Sequence, residues 1–473
     1  MRQAAKMLST PGNDLFSHRI HIEGQWLDQQ RLDKLVDLIV DRLAGLGVTK
    51  EHHIAVISRS SWFITLLFHA CYRSGISLYP LDPDISSQRR EALIYQAGIE
   101  YIVNHDDAIS FNAWDPSQIS LTDLGTEYFE TGEEGLVVAT SGSSGEPKGV
   151  KLSYRALQKN AYLVNRRLEV DSKSLWLNCL PLFHIGGLSI IVRTALEQAE
   201  MLLHQGFNAD RVWSDIRNFP ISHISLVPAM LKQLIDTAES PPPSHLRVVL
   251  VGGSALNDTV AKKALELGWP IWTTYGMSET ASQIATSILK RSDFSDQASS
   301  VGVLPLDDVQ CRIIDELGKP TTDIGRVKVK ADFLMTGYAN PNRTKGVGID
   351  PEGWFVTNDL GKQNDDNTLT IIGRADEMLI SGGKNIYPAE VEALVNRCPG
   401  IDNLCVDGIN DPVWGNRLCV VYEGNIAEHD LKTWCELNIS SSYRPRQFQK
   451  MQQLPRLSNG KLDKETIRQI VIK

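Results

Sequence analysis

The chain lacks a cysteine framework. Its seven cysteines, Cys71, Cys179, Cys311, Cys398, Cys405, Cys419 and Cys435, are odd in number and scattered, with no Cys-x-x-Cys pair. That pattern predicts reduced thiols in a cytosolic protein. Long apolar runs are missing too. No stretch of about 18 consecutive apolar residues occurs, so no transmembrane helix is expected. Met1 to Ser17 carries no apolar core with a small-residue cleavage site and does not read as a signal peptide. Positive charge is in deficit, with a formal net charge of -9. That argues against a nonspecific nucleic-acid binder, while a local basic site for small anions remains compatible with it. Internal repeats and low-complexity segments are absent as well.

What is present is the composition of a soluble globular protein, 42% hydrophobic and 22% charged. The 473 residues suffice for two or three domains whose cores need no disulfide or metal staples. The oligomeric state, a homo-oligomer included, stays open.

Apolar residues recur at helical spacing at Leu35, Leu38, Ile39, Leu43 and Leu46. His53 to Ser58 reads as a buried strand, followed by a helix near Trp62 to Arg73 and then by Ser77 to Leu81. Gly135 to Ala139 is another strand candidate, leading into a small-residue loop, Thr140 to Gly149, and a helix from Tyr154 to Arg167. Val248 to Val251 repeats the strand signal ahead of Gly252-Gly253-Ser254. This alternation predicts α/β layers around a largely parallel sheet. From Gly302 to Tyr338 the period changes: Val309, Cys311, Ile313, Val327 and Val329 alternate with polar residues, as in antiparallel strands of a smaller sheet or barrel. A boundary is expected near Gly373 to Asp376, with one domain over 1–375 and a small one over 376–473. The second holds the loop Ser381-Gly382-Gly383, a helix from Ala389 to Asn396, and strands around Leu404 and from Leu418 to Tyr422. The fold class expected is therefore α/β: a large N-terminal domain of layered sheets with a small β-barrel-like part, and a small α+β C-terminal domain.

Thr140-Ser141-Gly142-Ser143-Ser144-Gly145-Glu146-Pro147-Lys148-Gly149 is the strongest local signal. Glycines let backbone N–H groups approach a polyphosphate, hydroxyls add donors, and Lys148 adds positive charge. The spacing is not that of the nucleoside-triphosphatase P-loop. On composition alone the segment also reads as a flexible linker.

At this point the residues resemble the adenylate-forming superfamily of acyl-CoA synthetases, luciferases and peptide-synthetase adenylation domains. The resemblance implies ATP binding by Thr140, Ser141, Gly142, Ser143, Ser144, Gly145 and Lys148. Further segments match in family order between Thr140 and Lys461. Tyr275-Gly276-Met277-Ser278-Glu279-Thr280 is similar to YGxTE. It implies nucleotide contacts from Tyr275, Gly276 and Ser278, with Tyr275 at the adenine, and Mg²⁺ held by Glu279 and Thr140. Gly253, Ser254 and Ala255 resemble the lining of the adenine pocket, although a Gly-Gly pair alone is more often a turn. Thr357-Asn358-Asp359-Leu360-Gly361 is similar to TGDLG, with Asn358 in place of glycine. That departure raises the question of a left-handed backbone, which Asn tolerates. Asp359 is implied at the ribose, Arg374 at the nucleotide and Asp376 as the hinge of a mobile small domain. Out of context, Arg374 and Asp376 read as a surface ion pair. Leu379 to Glu392 resembles ISGGxNIxPxEIE, which implies that Gly382, Gly383 and Lys384 line the coenzyme A side. Leu454 to Leu462 looks like PRxxxGK, which makes Lys461 the catalytic lysine of adenylation, neutralising charge at the α-phosphate.

The acyl side is more particular. Leu180 to Ser189 has Phe183-His184 where amino-acid-activating domains carry Phe-Asp, and the chain ends soon after Lys461 with no carrier domain. Coenzyme A is thus favoured over a tethered pantetheine. His184 orients substrate, gates the thiol or is simply packed in the pocket wall. Arg193, in a mostly apolar helical stretch, needs an anionic partner: an internal Asp or Glu, or a second carboxylate on the substrate. LPLFHIGGLSIIVR resembles the short o-succinylbenzoate–CoA ligases of menaquinone biosynthesis, with Gly186 where some members have serine. In that case Arg193 and Ser278 bind the aromatic carboxylate. Other readings are a medium-chain or aryl acyl-CoA synthetase, a luciferase-like oxygenase, or a non-catalytic binder of acyl-adenylates. The small-molecule partners expected are ATP with Mg²⁺, an acid and coenzyme A.

Overall fold

The computed structural model describes residues 19–124, 135–140, 148–294, 302–340, 346–457 and 460–471. Local chemistry sets its elements. Asp28 caps the helix Gln29–Gly45 by accepting from Arg31 N at 2.9 Å. That helix buries Leu32, Val36, Ile39 and Leu43, one face at helical spacing, whereas Leu38, expected on that face, is 43% exposed. The helix Ser61–Ser74 is buried at every position from Ser61 to Tyr72, so it lies between layers rather than on them. Gly75, with φ +70°, closes it in the left-handed conformation.

Two layered sheets form most of the large domain. One has eight strands in the order Ser282–Ile288, Ile271–Met277, Val248–Val251, His223–Leu226, Leu175–Asn178, Glu200–Leu203, Arg19–Ile22, Gln25–Asp28. Its inner strands run parallel, so the segments after Asn178, Leu226 and Val251 all leave from one edge. The other has seven strands, in the order Gly337–Tyr338, Lys148–Leu152, Leu136–Thr140, Ser77–Leu81, His53–Ile57, Tyr101–Asn104, Ser120–Asp123. The helix Tyr154–Leu168 lies against the helix Ile185–Leu196. From the first of these, Asn160 Nδ2 donates to the carbonyls of Thr280 and Gln283 at 3.3 and 2.8 Å.

The barrel-like part is an open antiparallel sheet of four strands, Gln310–Ile314, Gly325–Lys330, Phe355–Gln363 and Leu369–Arg374. Val327 and Val329 point inward, as their alternation predicts. A last sheet, of five strands, builds the smaller C-terminal domain, with its own core of Ile386, Val391, Val395, Val420, Tyr422 and Leu431. No helix among the described residues is long and apolar enough to cross a membrane. All seven cysteines are free thiols.

His223 is fully buried in the eight-stranded sheet, stacked on Trp176 with ring centroids 5.1 Å apart. A neutral ring suits its surroundings: Nε2 donates to Leu168 O at 3.0 Å and Nδ1 accepts from Ser222 Oγ at 2.7 Å. Burial pushes it down to about 4 from its ordinary 6.5. Between those values the unfolded chain binds the proton and the folded chain does not. Stability therefore falls as pH falls through that window, by up to about 1.4 kcal/mol per pH unit for this group. Thermal unfolding followed from neutral pH down to about 4.5 should show a shallower loss in His223→Gln than in the wild type. Equal slopes would remove His223 from the acid response.

Candidate active site

Three groups of side chains meet at the carboxyl edge of the eight-stranded sheet. The first is built on the four-stranded sheet. Tyr275 Oη donates to Asp359 Oδ2 at 2.7 Å, and Arg374 Nη1 lies 3.5 Å from Asp359 Oδ1. Burial raises the Asp359 carboxyl above its ordinary range, opposed by the Tyr275 bond and by Arg374. Arg374 also grips Asp376 through Nε at 3.0 Å and Nη2 at 2.9 Å. Asn358 lies in the strand Phe355–Gln363 and is not among the residues with positive φ, so no left-handed backbone is needed where the motif has glycine. Nearby, Gly252 admits no side chain, because a Cβ there would sit 2.5 Å from Thr274 Cγ2. Gly253, Ser254 and Ala255 follow it, exposed along the edge.

The second group gathers around the phosphate loop. Thr140 and Lys148 face each other across paired strands, and Thr140 Oγ1 donates to Lys148 O at 3.3 Å. Ser141, Gly142, Ser143, Ser144 and Gly145 lie outside the described residues. Glu279 is held by Tyr338, whose Oη donates to Glu279 Oε1 at 2.8 Å. The Lys148 ammonium lies 5.2 Å from the centre of the Tyr338 ring. Tyr338 therefore joins two predicted site residues that are far apart in sequence. It was missed because a lone tyrosine on a two-residue strand carries no periodic signal.

The third group lies on the segment expected to form the acyl side. His184 begins the helix Ile185–Leu196, with Phe183 edge-on at 4.8 Å. Its Nε2 is buried without a hydrogen-bond partner. Burial first, then the Lys461 charge, push the imidazole down to about 4. Gly187 is required by close approach, since a Cβ would meet Pro181 O at 2.6 Å. Gly186 is not, because a Cβ there meets only Leu180 Cδ1 at 3.5 Å.

Arg193 is 1% exposed. Its Nη2 donates to Ser282 Oγ at 2.9 Å and to Gln283 Oε1 at 3.4 Å, and its guanidinium lies 5.5 Å from the Trp176 ring centre. No acidic residue among those described pairs with it, and its Nε has no partner. Burial holds the guanidinium below its ordinary range, yet arginine stays charged at neutral pH. The hydroxyls beside it belong to Ser282 and, 3.5 Å further, Ser189. Ser278, expected there, lies instead in the turn Ser278–Thr280 and makes no described bond to Arg193. Ser282 has φ 143° and Ala281 φ 54°, a strained stretch that presents Ser282 to the guanidinium.

Lys461 reaches the first and third groups from the small domain. A Cβ on Gly253 would lie 3.2 Å from Lys461 Cε. The turn that carries it is closed by Leu457 N donating to Lys461 O at 2.8 Å, and Gly460, at φ +80°, sits against Val227. Lys461 keeps solvent access along the cleft, but the surrounding protein and then Arg374 hold its ammonium below the ordinary range, with Asp359 opposing. The other candidates on this domain lie elsewhere. Gly382 N donates to Trp414 O at 2.9 Å, so the turn Gly382-Gly383 is anchored within its own sheet, and Lys384 is exposed.

The Tyr275–Asp359–Arg374 cluster, a cation from a second domain and a buried arginine with no acidic partner among the described residues fit an acid-activating enzyme. The family model of the AMP-binding enzymes matches residues 10–339, and that of the AMP-binding enzyme C-terminal domain matches 390–461; the chain belongs to this family. Among its relatives, the 2-succinylbenzoate–CoA ligase of Bacillus cereus (strain ATCC 14579) is 30% identical over 468 residues, covering 96% of this chain and 95% of the relative. The o-succinylbenzoate CoA synthetase of Bacillus subtilis, in complex with its acyl-adenylate intermediate, is 25% identical and superposes with a TM-score of 0.83, covering 99% of this chain and 97% of that one. The same enzyme with ATP and magnesium ion gives a TM-score of 0.82 at 25% identity, over 99% and 98% of the two chains.

Tyr338→Phe should leave the fold intact and raise KM for Mg·ATP about two- to tenfold, the worth of one hydrogen bond. Steady-state kinetics at saturating acid checks this. An unchanged KM would show that Glu279 needs no support from Tyr338.

Proposed function

We propose that the chain is an AMP-forming acid–thiol ligase that joins 2-succinylbenzoate to coenzyme A, a step of menaquinone biosynthesis. Arg193 carries the choice of acid. A buried cation without an acidic partner among the described residues is costly, and a second carboxylate on the substrate offsets that cost. A medium-chain or aryl acid would leave the guanidinium to Ser282 and Gln283 alone.

In the first half-reaction the carboxylate oxygen of the succinyl arm attacks the α-phosphorus of ATP. The bond from that phosphorus to the diphosphate oxygen breaks, leaving acyl-adenylate and diphosphate. Lys461 supports charge at the α-phosphate, while Tyr275 and Gly253 to Ala255 line the adenine and Asp359 and Arg374 hold the ribose side. Gly276, Ser278, Lys148 and the loop Ser141 to Gly145 complete the nucleotide contacts. Mg²⁺ fits the residues present. Glu279 commits Oε1 to Tyr338 and keeps Oε2 for a cation, and Thr140 donates its own proton away, which leaves lone pairs free. When bound, the ion neutralises phosphate charge. In the second half-reaction the sulfur of coenzyme A attacks the acyl carbon and AMP leaves. His184, neutral near pH 7, is too weak a base to drive this step and instead orients the acyl group or gates the thiol.

The two halves need different groups of the small domain. Residues 1–375 form the large domain and 376–473 the small one, which turns about Asp376 to exchange Lys461 for Gly382, Gly383 and Lys384. The site of action is the cytoplasm.

Assays of AMP and thioester formation with 2-succinylbenzoate, benzoate, octanoate and an amino-acid panel test the reading. Strong preference for 2-succinylbenzoate is expected; turnover of simple acids alone would discard the menaquinone assignment and keep the ligase mechanism. Lys461→Ala should slow adenylation by about 10²- to 10³-fold and spare thiolation of supplied acyl-adenylate. Equal loss of both halves contradicts its assigned role. Arg193→Ala should raise KM for the dicarboxylic acid about 30-fold or more, with little change for monocarboxylates. Parallel changes for both substrate types would free Arg193 of that role.

A further inference from the structure

Asn358 stands where the family motif has glycine, and its side chain spans two elements. Arg326 Nη2 donates to Asn358 Oδ1 at 2.9 Å, and Asn358 Nδ2 donates to Asp376 Oδ2 at 3.3 Å. Arg326 is itself fixed, with Nε and Nη2 donating to Thr357 O at 3.1 and 2.9 Å. Asp376 lies in the short turn Ala375–Glu377. That turn joins the four-stranded sheet, ending at Arg374, to the small domain's sheet, beginning at Leu379. The connector's carboxylate is thus held by Arg374 from its own strand and by Asn358 from the neighbouring one. Glycine at 358 would leave out the second hold.

Elsewhere, among the described residues, polar contacts between the domains lie at or near the surface. These include Arg89 with Glu465 at 3.1 Å, Lys232 with Asp402 at 3.5 Å, and Asn257 Nδ2 with Asn396 Oδ1 at 2.8 Å. Exposed pairs of this kind contribute little. Whether Lys461 stays over Gly253 therefore depends strongly on the backbone of the connector and on what fixes it.

We infer that Asn358 is a positioning residue for adenylation. It latches Asp376 so that the connector keeps Lys461 in the nucleotide cleft, and its bond to Asp376 breaks when the small domain turns. The inference rests on the ligase reading above and assigns Asn358 to one of its half-reactions. Because the backbone at 358 accepts any residue, glycine and aspartate can both be placed there without distorting the strand.

Single-turnover rates of each half-reaction test it. Asn358→Gly should slow adenylation about two- to tenfold, as expected for one hydrogen bond, while thiolation of supplied acyl-adenylate is unchanged or faster. Asn358→Asp, which sets a second carboxylate against Asp376, should slow adenylation further. A substrate-free readout accompanies the rates. Labels on Tyr95→Cys and Leu437→Cys, at sites 68% and 81% exposed, in a Cys311→Ser background, should report a broader spread of interdomain distances in both variants. An unchanged distance distribution, or equal slowing of the two half-reactions, overturns the latch. If the wild type activates no acid, the ligase reading fails, and the distance distribution alone then decides on the latch.

Discussion

A guanidinium that is 1% exposed and meets no acid among the described residues constrains everything around it. Desolvating an ion costs several kcal/mol even after relaxation, so its neighbours must be polar, oriented or π-rich. They are. Trp176 presents its ring, Ser282 its hydroxyl and Gln283 its amide oxygen. Each neighbour is in turn fixed from behind. Trp176 is stacked on His223, and Asn160 pins the carbonyls of Thr280 and Gln283. The strained backbone at Ala281 and Ser282 persists because both sides of it are held. Arg193 thus meets Ser282 and Gln283, just beyond the turn that carries Glu279.

The nucleotide side uses charge in a more open setting. Net charge over the chain is -9, yet Arg374 and Lys461 share one cleft and Lys148 stands over Tyr338. Burial and then Arg374 make Lys461 less ready to be charged, with Asp359 opposing, while the bonds to Asp376 hold Arg374 itself above its ordinary range. An arrangement of mutually repelling cations is favourable when an anion sits among them, and a polyphosphate is such an anion.

The sequence made much of this readable, for identifiable reasons. Strands such as Val248–Val251 and helices such as Tyr154–Leu168 follow from apolar runs and helical spacing. Asp359, Arg374 and Lys461 were legible because contiguous motifs carried them, and the structure brings them into one cleft with Tyr275. Tyr338 and Ser282 were not. Each reaches its partner across long sequence separation, and neither sits in a pattern with a period. Ser278 was misplaced for a related reason: a hydroxyl in the right motif was preferred to one four residues on, which only the turn at Ala281 aims at Arg193. Asn358 is visible in the sequence as a departure from glycine, but its effect lies in its side chain rather than in the backbone.

These features divide the molecule by stiffness. The acyl wall is buried, and its groups are held by bonds within the large domain. Lys461, by contrast, arrives on a turn of the other domain that leans on Val227 and crosses Gly253. On the proposed reaction, a group that stabilises charge at the α-phosphate is useful only until diphosphate has left. If it were built into the rigid wall, it would go on occupying the edge through which a thiol must approach. Carrying it on a small domain joined by a short connector allows the same cleft to lose that cation without disturbing Arg193 or Glu279. The cost is that its placement depends on contacts between the domains and on the connector itself, so side chains that hold Asp376 matter more than their exposure suggests.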